Sequence, residues 1–279
     1  MTEEKKSIDV MVLMPSHDAK CYVETARSVL LNFADCARHG INLFWQTKLG
    51  DSILPRSRNQ LLHAAFKHGA DYAFFWDSDI VLPYEAIRNL IQSNHELCGI
   101  AYPLKSEEMK FAFNARGEFP IINGWAEVQG IGTGAMLISR KAYEKMCDAY
   151  PGLLYFDDQM KEQIFRLFDF EVQGNMYIGE DYVFCGRYRH VGGKIMMLTD
   201  MDVAHYGHNA WTRCFYNDVA KKVISDGDST TSDKSNGADD TPEANGSFVD
   251  LGGGGGRARD TQPDEAIVAN TIPKIHAVA

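Results

Sequence analysis

The feature that most constrains the fold is an alternation of short apolar runs with segments of helical periodicity, sustained over roughly the first hundred residues. Residues 8–14 are mostly apolar or β-branched and read as a buried strand, ending at Pro15-Ser16-His17-Asp18. Tyr22, Val23, Ala26, Val29, Leu30, Phe33 and Ala37 then recur at helical spacing as far as Gly40. Residues 41–46 form a second expected strand, 56–68 a second helix closed by Gly69, and 72–76 a third strand running into Asp77-Ser78-Asp79. Pro83 suits the first position of a helix over 84–92, and 97–102 is a fourth strand. This order predicts an α/β fold with a mostly parallel central sheet flanked by helices. Such sheets bind ligands outside the C-terminal ends of their strands. Pro15-Ser16 and Asp77-Ser78-Asp79 both lie at such ends, so they are expected to share one crevice.

The middle of the chain changes character. Residues 110–114, 125–129 and 135–138 read as short strands between Gly-rich turns, a smaller mixed β region. Ser139 is placed to cap a helix that Pro151 stops. A helix over 180–190 ends at Gly192-Gly193, and a strand over 194–199 leads to His205-Tyr206-Gly207-His208. From about residue 225 Ser, Thr, Asp, Asn and Gly dominate, and 252–256 is unbroken glycine. Such a segment buries too little apolar surface to offset its ordering entropy. The expected organisation is a domain over 1–224, a flexible tail over 225–265, and a mildly apolar segment over 266–279 that docks back or meets a partner.

The formal net charge of −10 argues against binding long nucleic acid, which needs clustered Lys and Arg. A local basic groove would still admit a nucleic acid acceptor. Six scattered cysteines with no C-x-x-C pair read as free thiols of a reducing compartment. The first seven residues have no apolar signal-peptide core, and no stretch approaches the roughly 20 apolar residues of a membrane helix. The expectation is a soluble, cytoplasmic protein, or one of the host cytoplasm if phage-encoded.

Five constellations carry chemistry. Asp77 and Asp79, one residue apart after a buried strand, form a hard-oxygen site suited to Mn²⁺ or Mg²⁺ carrying a diphosphate. An isolated D-x-D triplet is usually a solvated loop; the apolar strand before this one argues otherwise. Glu180 and Asp181 open a helix, where capping alone accounts for carboxylates, yet either could serve an acceptor hydroxyl as base or positioning group. His205 could complete the metal's coordination, with His208 as a competitor and a structural histidine as the plainer reading. Arg58 and Asn59 open the second helix, where a cation opposes the macrodipole and is easier to explain beside an anion such as a diphosphate; a surface Arg pair is the plainer account. Gly132-Thr133-Gly134 lacks the Lys-Ser/Thr of a phosphate loop and reads as tight turning between strands, or as a thin wall that an acceptor approaches closely.

Taken in order over residues 8–210, these pieces resemble the GT-A glycosyltransferase superfamily, and most closely the stand-alone family-2-like transferases of bacteria and their phages. The resemblance implies a Rossmann-like GT-A domain that moves a hexosyl or pentosyl group from a nucleotide-sugar donor. It places metal on Asp77, Asp79 and His205, the donor nucleotide on Pro15, Ser16, Arg58, Asn59 and Asp77, and the acceptor beside Gly132, Thr133 and Gly134. Asp181, with Glu180 beside it, would handle the acceptor hydroxyl. The Tyr-Asn or Tyr-Asp pair common after the first Pro is replaced by Ser16-His17-Asp18. The acceptor could be a cell-surface glycan, a protein side chain or a modified DNA base. The rival functions are a nucleotidyltransferase and a non-catalytic sugar-nucleotide or glycan-binding module.

Overall fold

The computed structural model describes residues 7–117, 119–207 and 209–221. In chain order the first half contains β1 (Ile8–Ser16), α1 (Val23–Arg38), β2 (Ile41–Leu49), α2 (Leu54–Lys67), β3 (Tyr72–Trp76), β4 (Ile80–Val81), α3 (Ala86–Gln92) and β5 (Leu97–Ile100). Short strands β6 (Phe113–Asn114), β7 (Trp125–Val128), β8 (Gly130–Ile131) and β9 (Ala135–Ser139) lead to α4 (Arg140–Ala149). Two hairpins follow, β10 (Leu154–Asp157) with β11 (Glu162–Phe165), and β12 (Glu171–Gln173) with β13 (Met176–Ile178). The chain continues through α5 (Glu180–His190), β14 (Ile195–Leu198), β15 (Val203–Tyr206) and β16 (Ala210–Arg213).

The central sheet has the order β2-β1-β3-β9-β5-β14-β7. Strands β2, β1, β3, β5 and β14 share one direction; β9 and β7 run against them. This is the α/β architecture with a mostly parallel sheet that the alternating pattern predicts. Side chains alternate between its faces with period two. Val10, Val12, Phe74 and Trp76 join the layer under α1 and α3. Leu13, Ala73 and Phe75 face the layer that takes Leu61, Leu62 and Phe66 of α2, Ala142 and Met146 of α4, and Phe184 and Tyr188 of α5. Fully buried aromatics of this size each contribute about 1.5–3 kcal/mol by leaving water. Ser139 caps α4 as expected, its Oγ accepting from the Ala142 N–H at 3.1 Å.

The segments at 125–129 and 135–138 enter the central sheet as β7 and β9, while short strands elsewhere form small separate sheets. All five residues of β9 are buried, because this strand is slotted between β3 and β5. Its apolar composition fits that place, but a partner sixty residues upstream leaves no local mark. Two helices start elsewhere than expected: α2 begins at Leu54 with Pro55 in its first turn, and α3 only at Ala86. The expected tail over 225–265 and the segment over 266–279 lie outside the described residues, as does the domain boundary at 224. All six cysteines are free thiols, four of them buried. Among the described residues no helix is long and apolar enough to cross a membrane.

Two glycines test this packing with opposite signs. A Cβ on Gly99 in β5 would stand 2.5 Å from the Ala135 carbonyl oxygen of β9, a backbone atom that cannot step aside. Gly99→Ala should therefore cost about 1–3 kcal/mol. Gly186 is exposed in α5 with nothing near its missing Cβ, and Gly186→Ala should stabilise by about 0.4–1 kcal/mol. Urea denaturation of the two variants against the parent chain checks both signs.

Candidate active site

Three chain segments meet at the C-terminal edge of the sheet. The first is the turn after β3. The Asp77 N–H donates to the Gly134 carbonyl at 3.1 Å, and the Ile80 N–H closes the turn on the Asp77 carbonyl at 3.2 Å. The second is the β4–β15 ribbon, whose register pairs Ile80 with His205. The Tyr206 N–H also donates to the Asp79 carbonyl at 2.8 Å. That pairing sets the Asp79 carboxylate beside the His205 ring. The third is the start of α5, where Glu180 and Asp181 face the crevice from across the sheet.

Arg58 lies between the first and third segments. It sits on the second turn of α2 and its side chain is 5% exposed. One guanidinium nitrogen donates to Glu180, and the other lies 3.4 Å from Asp77 Oδ1. Its Nε is buried without a hydrogen-bond partner among the described residues. A buried guanidinium is tolerable only when paired, and these two carboxylates do the pairing. Arg58 thus bridges Asp77 and Glu180, and Glu180 is ion-paired to it.

Asp181 is left as the carboxylate able to change protonation near neutrality. Burial, and then the adjacent Glu180 charge, push it up to about 6, against the pull of Arg58 and the Tyr182 N–H that donates to it at 2.8 Å. Burial likewise raises Asp77, with Arg58 opposing. Asp79 goes the other way. Burial pushes it up, but hydrogen bonds and charge from His205 and Lys105 together outweigh that and hold it below the usual carboxylate value.

The His205 ring has a definite orientation. Nδ1 is 2.8 Å from the Pro103 carbonyl, which can only accept, so Nδ1 carries the hydrogen. Nε2 points at Asp79 Oδ1 from 3.5 Å. In the neutral ring that nitrogen is a lone pair facing a carboxylate, and two acceptors in that arrangement call for a cation between them, either a proton or a metal ion. Tyr102 supports the ring edge-on, with centroids 5.6 Å apart.

Among the described residues no group of three or more His, Cys, Asp or Glu side chains is gathered to hold a metal ion, and Asp77 pairs with Arg58. Asp79 and His205 remain together. Mg²⁺-type sites commonly use one or two protein ligands and draw the rest from substrate phosphate and water. A two-ligand site completed by a diphosphate fits the donors present.

The remaining expected residues divide. Pro15 and Ser16 end β1 beside the crevice, where Ser16 Oγ binds the backbone of Lys20 and shapes the following loop. Asn59 clamps the Phe168 backbone: its amide nitrogen donates to the Phe168 carbonyl at 2.8 Å and its oxygen accepts the Phe168 N–H at 2.8 Å. Gly132, Thr133 and Gly134 are buried, and the space beside both glycines is filled. A Cβ on Gly132 would meet the Tyr102 hydroxyl at 2.1 Å, and one on Gly134 would meet Ile80 at 2.4 Å. Tyr102 packs against both glycines. His208 lies outside the described residues.

Lys105 at the site, and Tyr22 beyond its place on a helix face, carry no mark in the sequence. Lys105 Nζ is 2.5 Å from Asp79 Oδ2. Tyr22 donates its hydroxyl to the Gly207 carbonyl at 3.1 Å, while its own N–H binds the Ser78 carbonyl at 3.0 Å. It thereby joins the two halves of the crevice. Neither residue lies in a recognisable motif, so no local signal marks them. A separate cavity of about 760 Å³ opens between Pro83, Glu85, Trp125 and Asp200, and none of the expected site residues lines it.

No protein-family model matches the chain, and no curated protein sequence matches it. The comparison with solved structures gives the following matches. The A197 protein of STIV matches with a TM-score of 0.44 and 14% identity, over 72% of this chain and 86% of that one. TarS of S. aureus matches with a TM-score of 0.40 and 13% identity over 69% of this chain, which spans only 35% of TarS. A Drosophila beta-1,4-galactosyltransferase 7, solved with manganese, UDP-Gal and xylobiose, matches with a TM-score of 0.35 and 15% identity, over 69% of this chain and 66% of that one.

Proposed function

We propose that this chain is a metal-dependent glycosyltransferase of GT-A type, moving a sugar from a nucleotide-sugar donor to an acceptor hydroxyl. The observation that carries the reading is the pairing of Asp79 with the lone-pair face of His205 at the C-terminal edge of the sheet. It is joined there by an acidic crevice in which Asp77 and Glu180 pair with Arg58 and Asp181 lies within reach of its charge. That excess of negative charge suits a divalent cation, which in turn accepts a diphosphate that bare carboxylates would repel.

Asp79 and His205 would hold Mn²⁺ or Mg²⁺. When bound, the ion would neutralise charge developing on the leaving diphosphate. The chain's own groups do the rest. Arg58 fixes the β3 turn against α5 and so sets the spacing between the donor and acceptor sides. Asp181, ionised above about pH 6, takes the proton of the acceptor hydroxyl or aligns that hydroxyl. Its acid strength suits that task because its conjugate acid forms close to neutrality. Pro15 and Ser16 border the nucleotide side.

Two measurements test this. A panel of nucleotide sugars is incubated with Mn²⁺ in the absence of acceptor, and released nucleoside diphosphate is read by a phosphate-coupled assay. One donor should be hydrolysed slowly in a metal-dependent way, and Asp79→Asn should lose at least about 100-fold of that rate while its circular dichroism and melting stay those of the parent. Full activity in Asp79→Asn would sink the reading.

With an acceptor in hand, the pH profile tests Asp181. Its raised folded value means that protonation, which removes the base, begins on the acid side of about 6. The transfer rate should fall about tenfold per pH unit below that point and level off above it. Asp181→Asn should abolish the acid limb and lower the rate by about 10²–10⁴. An unchanged limb in that variant assigns the titration to another group.

A further inference from the structure

The segment 103–105 supplies both partners of the Asp79–His205 pair. The Pro103 carbonyl fixes the His205 tautomer, and two residues on, the Lys105 ammonium covers Asp79 Oδ2. The loop that carries Lys105 is closed at its base. The Ala112 N–H binds the Tyr102 carbonyl at 3.0 Å, Pro103 bridges to Phe111, and the Leu104 N–H binds the Lys110 carbonyl at 2.8 Å. The lysine stem lies along Gly207, where a Cβ would come within 3.2 Å of both Lys105 Cδ and the Trp211 ring. The backbone is therefore anchored, and what can move is an ammonium on a four-carbon stem, partly open to solvent at 35% exposure.

Resting on the functional reading above, we infer that Lys105 is a donor-phosphate residue stored on Asp79. It holds the carboxylate as a counter-cation until a divalent ion settles between Asp79 and His205, and then swings to the diphosphate. A divalent ion at Oδ1 and the ammonium at Oδ2 would share one carboxylate, well inside a Debye length, and their repulsion in a half-buried site is not screened away. The displaced ammonium needs a new anion within the length of its stem, and the diphosphate arrives on the metal that displaced it. Asp79 is thereby kept ionised and correctly turned before the metal comes, at the cost of a competitor for metal binding.

This arrangement gives Lys105 opposite effects on two ligands. Calorimetry on the full chain would measure Mn²⁺ alone, and then UDP, GDP and ADP in turn at saturating Mn²⁺. Lys105→Met should bind Mn²⁺ about tenfold more tightly than the parent and the preferred nucleoside diphosphate at least about tenfold more weakly. Lys105→Arg, which keeps the charge, should return the Mn²⁺ affinity toward the parent value. Weaker binding of both ligands in Lys105→Met, the mark of a merely structural loop, overturns the inference, as does an unchanged nucleotide affinity. Failure of the parent chain to bind Mn²⁺, or Mn²⁺ binding that survives Asp79→Asn, overturns the reading of the site and the inference with it.

Discussion

The crevice depends on one buried cation. Arg58 reaches from α2 to the end of β3 and the beginning of α5, and its two carboxylate partners come from segments about a hundred residues apart. Taking a guanidinium out of water is costly, and removing Arg58 would leave Asp77 and Glu180 as neighbouring uncompensated charges. The pair therefore constrains where α5 starts relative to β3. It also distributes roles among four acids: Asp77 and Glu180 are engaged, Asp181 is left to titrate, and Asp79 is turned to the opposite wall.

That opposite wall is built by backbone pairing. The β4–β15 ribbon puts Ile80 against His205, and the Tyr206 N–H on the Asp79 carbonyl locks the same register. A slip of one residue would send His205 to the other face of the ribbon, away from Asp79. Tyr22 and Tyr102 then hold this wall to the rest of the domain, the first through Ser78 and Gly207, the second through Gly134 and the His205 ring. Gly132 and Gly134 lack side chains because Tyr102 occupies that volume. The turn, which sequence leaves open as tight turning or an acceptor wall, seats a tyrosine.

Much of the frame was legible from the chain because its signals are local. The strands at the start of the chain and after Gly40 and Gly69 follow from apolar runs, the Ser139 cap from a short-range side-chain bond, and the position of Asp77 and Asp79 from the strand before them. The site was legible as a set of residues and less so as a set of roles. Asn59 and Glu180 look like open polar groups in sequence, but one clamps Phe168 and the other neutralises Arg58. Lys105 carries no motif, and only the fold brings it to Asp79.

The sequence by itself determined the alternating α/β frame and the end of β3 as the place where two carboxylates emerge, since period and composition act over a few residues. The tertiary structure decided which acid pairs with which cation, the insertion of β9 between β3 and β5, and the facing of His205 to Asp79. These are contacts between residues tens to more than a hundred positions apart. Their energies depend on burial and on distances of a few ångströms, and neither quantity is fixed until the chain has closed on itself.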